Sequence, residues 1–354
     1  MLGELLKVKP ISVAIAGTHG KTSTSSILGA ILTESNIDPT LVIGGIVNKF
    51  QTNAISGKGD VIVVEADEFD RSFLSLQPTM SVITNLDLEH LDCYENLNDL
   101  RGAFTQFANA APFYGLIALC IDSENVRTII PHIKRPLVTY GFSEDADYQA
   151  TKVSFNESYS SFDVIAFGKS LGNIKLNIPG RHNILNALGA IIMALELDIE
   201  FSQIQMGVES YTGVRRRFEI KHKTQNNVLI VDDYAHHPSE VSATLDAAKS
   251  GWNRRIISIF QPHLFSRTRD FYKDFAAAFL KTDVLVITDI FPAREEPIPG
   301  VSSELIINEL KTLRFSKVIS IPNVDDIPNN IASIIKDDDM IITMGAGSIW
   351  RQCE

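Results

Sequence analysis

The sequence predicts an α/β protein of two domains, each a mostly parallel sheet covered by helices, the second the smaller. Three observations predict it. Short β-branched runs alternate with longer helical patterns, the rhythm of βαβ units. The length of 354 residues suits about two domains, each with its own core. The alternation also breaks near 211–219 and restarts after Arg217, which places the domains at 1–214 and 215–354.

In order along the chain, residues 11–16 (ISVAIA) read as a buried strand. A glycine-containing turn follows and opens an amphipathic helix through about Glu34. Strand-like runs recur at 61–65, 80–85, 116–121 and 137–140, and 183–197 is a helical pattern rich in Ala and Leu. In the second half the strands are 228–231, 256–260, 284–288, 318–321 and 340–343, with helical patterns between them. No internal repeat or low-complexity tract interrupts either half.

Bulk properties exclude several classes. A net charge of −11 argues against a nucleic-acid partner, which calls for a basic patch. It leaves anionic small ligands open, because a few local cations and backbone N–H groups bind phosphate within an acidic protein. Cys93, Cys120 and Cys353 are too few and too scattered for a disulfide framework or a zinc cluster. No apolar stretch approaches the ~20 residues of a membrane span, and the first ten residues carry no secretory h-region, so a cytoplasmic location is expected.

The sharpest local signal is Ala16-Gly17-Thr18-His19-Gly20-Lys21-Thr22, between a predicted strand and a predicted helix. Glycines let backbone wrap an anion, and a helix N-terminus supplies unpaired N–H donors and partial positive charge. Lys21 can reach the β- and γ-phosphates of ATP, and the Thr22 hydroxyl can ligate Mg²⁺. The loop is shorter than G-x-x-x-x-G-K-[ST], since Ile15 stands where that pattern has its first glycine.

Two acidic clusters follow predicted strands: Glu65-Ala66-Asp67-Glu68-Phe69-Asp70, and Thr84 through Asp92 (TNLDLEHLD). Carboxylates at the C-terminal edge of a parallel sheet lie where the ligands of such sheets collect. Glu65 and His90 are the best further Mg²⁺ ligands, with Asp67 and Glu68 as alternatives to Glu65. Each cluster alone reads more often as a solvated loop; both behind a phosphate loop favour a nucleotide site.

The ordered motifs GTHGKT, EADEFDRSF, TNLDLEHLD, GRHNILNALGA, RRRFE, DDYAHHPSE and FQPHLFSRTRD resemble the Mur ligases, and they span nearly the whole chain. The branch resembled most joins L-alanine to UDP-N-acetylmuramic acid. The resemblance implies a central P-loop ATPase domain and a smaller Rossmann-like domain that closes over it. The implied reaction is ATP- and Mg²⁺-dependent amide formation through an acyl phosphate. Its implied nucleotide contacts are Gly17, Thr18, His19, Gly20, Lys21, Thr22, Asn183, Asn186 and Asp233, with Arg217 steadying phosphate charge; Asn183 and Asn186 also read as a capped helix start. Arg215 and Arg216 read equally well as solvated.

For the amino acid it implies Tyr234, His236, His263 and Arg267, an arginine being able to hold a carboxylate bidentately. Neighbouring histidines suggest zinc, but no third ligand stands at a credible spacing. Leu264 occupies a position where the family often has arginine. Residues 288–300 (TDIFPAREEPIPG) are assigned to loop, with Arg294 a weak substrate candidate, and no lysine position demands carbamylation.

The family also carries an N-terminal UDP-binding domain, whereas ten residues precede the first strand here. A chain of this extent is expected to bind ATP–Mg²⁺ weakly and to turn over little. The rival readings are a recycling ligase that attaches a tripeptide to the same nucleotide sugar, folylpolyglutamate synthase, and a nucleotide-binding module without catalysis. FQPHLFSRT counts against the first, and DDYAHHP with EADE against the second.

Overall fold

The structure is a computed structural model that describes residues 2–87 and 93–353. The chain separates into two compact units, Met1–Arg215 and Arg216–Glu354.

The first unit is built on one ten-stranded sheet: β1 (Ile11–Ala16), β2 (Thr40–Val47), β3 (Thr52–Ile55), β4 (Val61–Ala66), β5 (Met80–Ile83), β6 (Leu116–Cys120), β7 (Leu137–Gly141), β8 (Tyr148–Asn156), β9 (Tyr159–Ala166) and β10 (Lys169–Leu176). Their order is β10-β9-β8-β7-β6-β5-β1-β4-β2-β3. β1 lies between β4 and β5, parallel to both, and Ala16 faces Ala66 on one side and Ile83 on the other. This register starts the loops after all three strands at one edge.

The uninterrupted apolar run of β1 follows from cover on both faces. Val13 and Ile15 join a core formed with helices Lys21–Glu34 and Arg181–Glu196, whereas Ala14 and Ala16 join one containing Phe73, Phe104 and Phe107. Helix Lys21–Glu34 departs from the amphipathic expectation. It is buried continuously from Thr24 to Leu32, because helices Arg181–Glu196 and Phe201–Glu209 cover the side that the sheet does not. The parallel expectation also misses an antiparallel meander, β8-β9-β10, whose turns place Glu157, Phe167 and Gly168 at positive φ.

The second unit has β11 (Glu219–Lys223), β12 (Leu229–Asp233), β13 (Ile256–Phe260), β14 (Val284–Ile287), β15 (Val318–Ser320) and β16 (Met340–Met344), in the order β11-β12-β16-β13-β14-β15. All pairings are parallel except that of the edge strand β11, which the sequence reading lacks. Met344 faces Asp233 and Phe260, so the loops after β12 and β13 emerge at one edge. Among the described residues no helix is long and apolar enough to cross a membrane.

Candidate active site

In the first unit the loop after β1 is shaped by two glycines and a neighbouring loop. Gly17 (φ 131°) and Gly20 (φ 84°) hold backbone that L side chains rarely adopt. A Cβ on Gly17 would meet Thr84 Oγ1 at 2.1 Å, and one on Gly20 would meet Asn186 Oδ1 at 2.3 Å. The segment after β5 braces the loop. Asn85 Oδ1 accepts the His19 N–H at 2.8 Å, the Thr84 hydroxyl donates to the His19 carbonyl, and the Thr18 hydroxyl donates to the Asp87 carbonyl. His19 Nε2 also lies 3.7 Å from the Asp87 carboxylate. The cap residue Gly20 places no side chain over the first turn of helix Lys21–Glu34. That turn's N–H groups are a ready anion site.

Lys21 Nζ donates to the Gly17 carbonyl at 2.7 Å and to Glu68 Oε2 at 2.7 Å, with Asp67 at 3.9 Å. Burial by itself would lower the lysine's pKa, but Glu68, Asp67 and Glu65 outweigh it and hold the ammonium above its ordinary value. Lys21 therefore stays charged. Glu68 is 1% exposed, and its Oε1 has no hydrogen-bond partner among the described residues.

Glu65, at the end of β4, is a separate centre. It accepts from the Thr22 hydroxyl at 3.0 Å, the Ser25 hydroxyl at 3.2 Å and the Gly44 N–H at 2.6 Å. A Cβ on Gly44 would lie 2.9 Å from Glu65 Oε2, so a side chain there would displace the carboxylate from its place beside the Gly44 N–H. A carboxylate beside a helix-start hydroxyl is a hard-oxygen pair that suits Mg²⁺, which keeps several waters and takes few protein ligands. Among the described residues no three His, Cys, Asp or Glu side chains gather as a metal cluster. His90, the other ligand named from the sequence, lies outside the described residues. Asn183 and Asn186, both 6% exposed, form a chain: Asn186 Nδ2 donates to Asn183 Oδ1, and Asn183 Nδ2 to the Pro179 carbonyl.

In the second unit the loops after β12 and β13 bring Tyr234, His236, His263 and Arg267 together. The Tyr234 and His236 rings are 5.2 Å apart, those of His236 and His263 5.9 Å, and Arg267 Nη1 lies 3.3 Å from His263 Nδ1. His236 Nδ1 contacts the Tyr234 carbonyl at 2.9 Å and lies 3.1 Å from the Glu240 carboxylate. Its backbone N–H donates to Glu240. Burial, then the charges of His236 and Arg267, push the His263 pKa down to about 4. The ring is therefore neutral near pH 7.

Arg217 reaches Glu240 at 3.3 Å and lies 5.5 Å from the Tyr234 ring centroid. Asp233 is 7% exposed and accepts from the Phe218 and Ala235 N–H groups and the Thr244 hydroxyl. Burial raises its pKa to about 6. Arg216 is not a solvated residue: its guanidinium donates to Asp232, whose side chain is fully buried, at 2.9 Å and to the Gly345 carbonyl at 2.7 Å. His237 caps helix Pro238–Gly251 in a capping box with Glu240, and Arg269 pairs with Asp270.

Three participants were missed as such. Gly44 supplies its N–H from a strand the sequence reading lacks, and Ser25 shares the helix face of Thr22 one turn on, a spacing that could have found it. Glu240 could have been found as the fourth residue of His-Pro-Ser-Glu, which has the spacing of a capping box.

Comparison with known proteins bears on both units. The profile of the Mur ligase middle domain matches residues 15–194, and that of the Mur ligase glutamate ligase domain matches residues 216–347. A UDP-N-acetylmuramate–L-alanine ligase of Geotalea daltonii is 46% identical over 354 residues, covering 100% of this chain and 77% of that protein. The protein of the same name from Trichlorobacter lovleyi is 47% identical, covering 100% and 78%. Among solved structures, the UDP-N-acetylmuramate-alanine ligase MurC of Thermotoga maritima superposes with a TM-score of 0.83 at 27% identity, covering 99% of this chain and 76% of that one. A murein peptide ligase from Psychrobacter arcticus gives 0.69 at 25% identity, covering 98% and 76%.

Proposed function

The chain belongs to the Mur ligase family, and on that premise we propose that it works in an ATP-dependent ligase that joins L-alanine to the lactyl carboxylate of UDP-N-acetylmuramic acid in peptidoglycan synthesis. One observation carries the choice of amino acid: relatives named for that reaction are 46–47% identical across the whole chain.

The chemical need is plain. A carboxylate and an ammonium do not condense unaided, and phosphorylation turns a carboxylate oxygen into a leaving group. The lactyl carboxylate attacks the γ-phosphate to give an acyl phosphate and ADP; the amine of alanine then attacks the acyl carbon and phosphate leaves. Two anions meet in the first step. Lys21, charged and held at the loop, and the helix N–H groups beside it offset that repulsion. Thr22 and Glu65 would hold Mg²⁺, which supplies further positive charge to the phosphates.

Asn183 and Asn186 are assigned to adenine and ATP contacts on the resemblance. Arg217 and Asp233 are assigned to ATP on the resemblance alone, since both Asp233 oxygens already serve backbone and side-chain donors of their own unit. For the amino acid, Arg267 takes the carboxylate, while neutral His263 or its neighbour His236 accepts from the ammonium; Tyr234 backs His236.

The test is phosphate release by the full-length gene product with ATP, Mg²⁺ and UDP-N-acetylmuramic acid, comparing L-alanine, the murein tripeptide and no acceptor. Turnover with alanine supports the reading. Turnover with the tripeptide alone moves the protein to the recycling ligase.

A further inference from the structure

The loop of residues 288–300, which follows β14, grips the turn that carries His263 and Arg267. Two backbone hydrogen bonds pin that turn to Phe291: its N–H donates to the Pro262 carbonyl at 2.8 Å, and its carbonyl accepts the Leu264 N–H at 3.0 Å. The Phe291 ring stacks on His263, with centroids 5.8 Å apart and planes 13° from parallel. Four residues on, the Glu295 carboxylate accepts the Ser266 N–H at 3.0 Å and the Ser266 hydroxyl. It sits at the start of helix Phe265–Phe279, whose N-terminal partial charge favours an anion.

What the grip holds is strained. Leu264 has φ 71° and ψ 137°, a region almost reserved for glycine, and it persists only where surrounding bonds over-determine it. Here its N–H is bound to Phe291, and its carbonyl accepts both the N–H and the hydroxyl of Thr268. The strained residue sits between His263 and Ser266 and turns the chain from the strand end into the helix. Relaxing it would swing the His263 ring relative to Arg267, one helical turn further on.

We propose that Glu295 is a positioning residue for the acceptor amino acid: held on Ser266, it locks the Leu264 turn that sets the spacing of His263 and Arg267. It acts through these residues and does not touch the substrate. The inference rests on the assignment of His263 and Arg267 to alanine, and it makes the loop, not only the two strand-end motifs, a determinant of that pocket.

The experiment is steady-state kinetics of the full-length enzyme carrying Glu295→Ala, Glu295→Gln and Ser266→Ala, with L-alanine and ATP varied separately. Glu295→Ala removes both charge-assisted hydrogen bonds to Ser266 and should raise the KM for alanine about tenfold or more, leaving the KM for ATP within about twofold. Glu295→Gln, which keeps one acceptor oxygen, should recover part of the loss. Ser266→Ala, which keeps the backbone N–H bond to Glu295, should reproduce part of it, and adding it to Glu295→Ala should cost nothing more. A lowered Tm with an unchanged KM for alanine would reduce Glu295 to a helix cap and overturn the proposal, as would an equal rise in both KM values.

A second readout does not depend on the substrate. In Glu295→Ala the His263 ring resonances, and their contacts to Phe291, should shift; unchanged resonances overturn the proposal even if the wild-type enzyme proves to use a different acceptor. Wild-type turnover with the tripeptide alone would refute the alanine assignment and leave this readout to decide the role of Glu295.

Discussion

Replacing Gly17 by alanine tests how tightly the loop between β1 and helix Lys21–Glu34, proposed to bind phosphate, is built. The new Cβ would lie 2.1 Å from Thr84 Oγ1 and 3.1 Å from both the N and O of Asn85, where ordinary contact begins at 3.4 Å. Thr84 cannot swing aside cheaply, because its hydroxyl donates to the Ala16 and His19 carbonyls. Two costs combine. A non-glycine residue at φ 131° costs about 1–3 kcal/mol, and forcing a methyl group into a packed site costs a further ~1–3 kcal/mol.

Gly168→Ala separates the two costs, since Gly168 also has positive φ (75°) but its added Cβ meets nothing within 4 Å. That control should lose only about 1–2 kcal/mol. Urea denaturation should place Gly17→Ala about 1–3 kcal/mol below it. Calorimetry with ATP–Mg²⁺ should show affinity weakened about tenfold or more, the effect of 1.4 kcal/mol of loop distortion. A Gly17→Ala protein no less stable than the control, with unchanged ATP affinity, would refute the reasoning.

Two further predictions follow from buried charge. Lys21→Ala strands the Glu68 carboxylate, whose side chain is 2% exposed, and should cost about 3–5 kcal/mol. Adding Glu68→Gln should restore much of it, and a loss below ~1 kcal/mol in the single variant would mean that Glu68 is solvated. Burial, then His236 and Arg267, keep His263 neutral in the folded state down to about pH 4, below the ordinary imidazole value of 6.5, with Arg294 also opposing its charge and Glu295 favouring it. Between those values the unfolded chain takes up a proton that the folded chain refuses, so this contribution to stability is complete above about pH 6.5 and falls as pH drops toward 4. An NMR titration of the His263 ring should stay flat through pH 6.5; a midpoint there would contradict the buried environment.

What the sequence by itself determined was local. The glycine loop after β1 was legible because its requirements lie within seven consecutive residues: a strand end, two glycines at positive φ, and a lysine and a threonine opening the helix. The parallel strands were legible because cover on both faces demands uninterrupted apolar runs, as in ISVAIA and VIVVE. The meander β8-β9-β10 escaped because its strands are half-buried and mix polar residues with apolar ones, while Phe167-Gly168 is not a familiar hairpin turn.

Which carboxylate does what was decided only by the tertiary structure. Glu65, Asp67 and Glu68 are alike in sequence. One receives Thr22, Ser25 and the Gly44 N–H, another takes Lys21, and the third stays largely exposed at 65%. Arg216 likewise looks like any surface arginine until β12 sets Asp232, with a fully buried side chain, beside it. In each case the partner comes from a segment tens of residues away or from a neighbouring strand, and strand register, which local propensity does not encode, chooses it. Burial then converts that choice into energy, because a charge removed from water must keep the partner that the fold supplies.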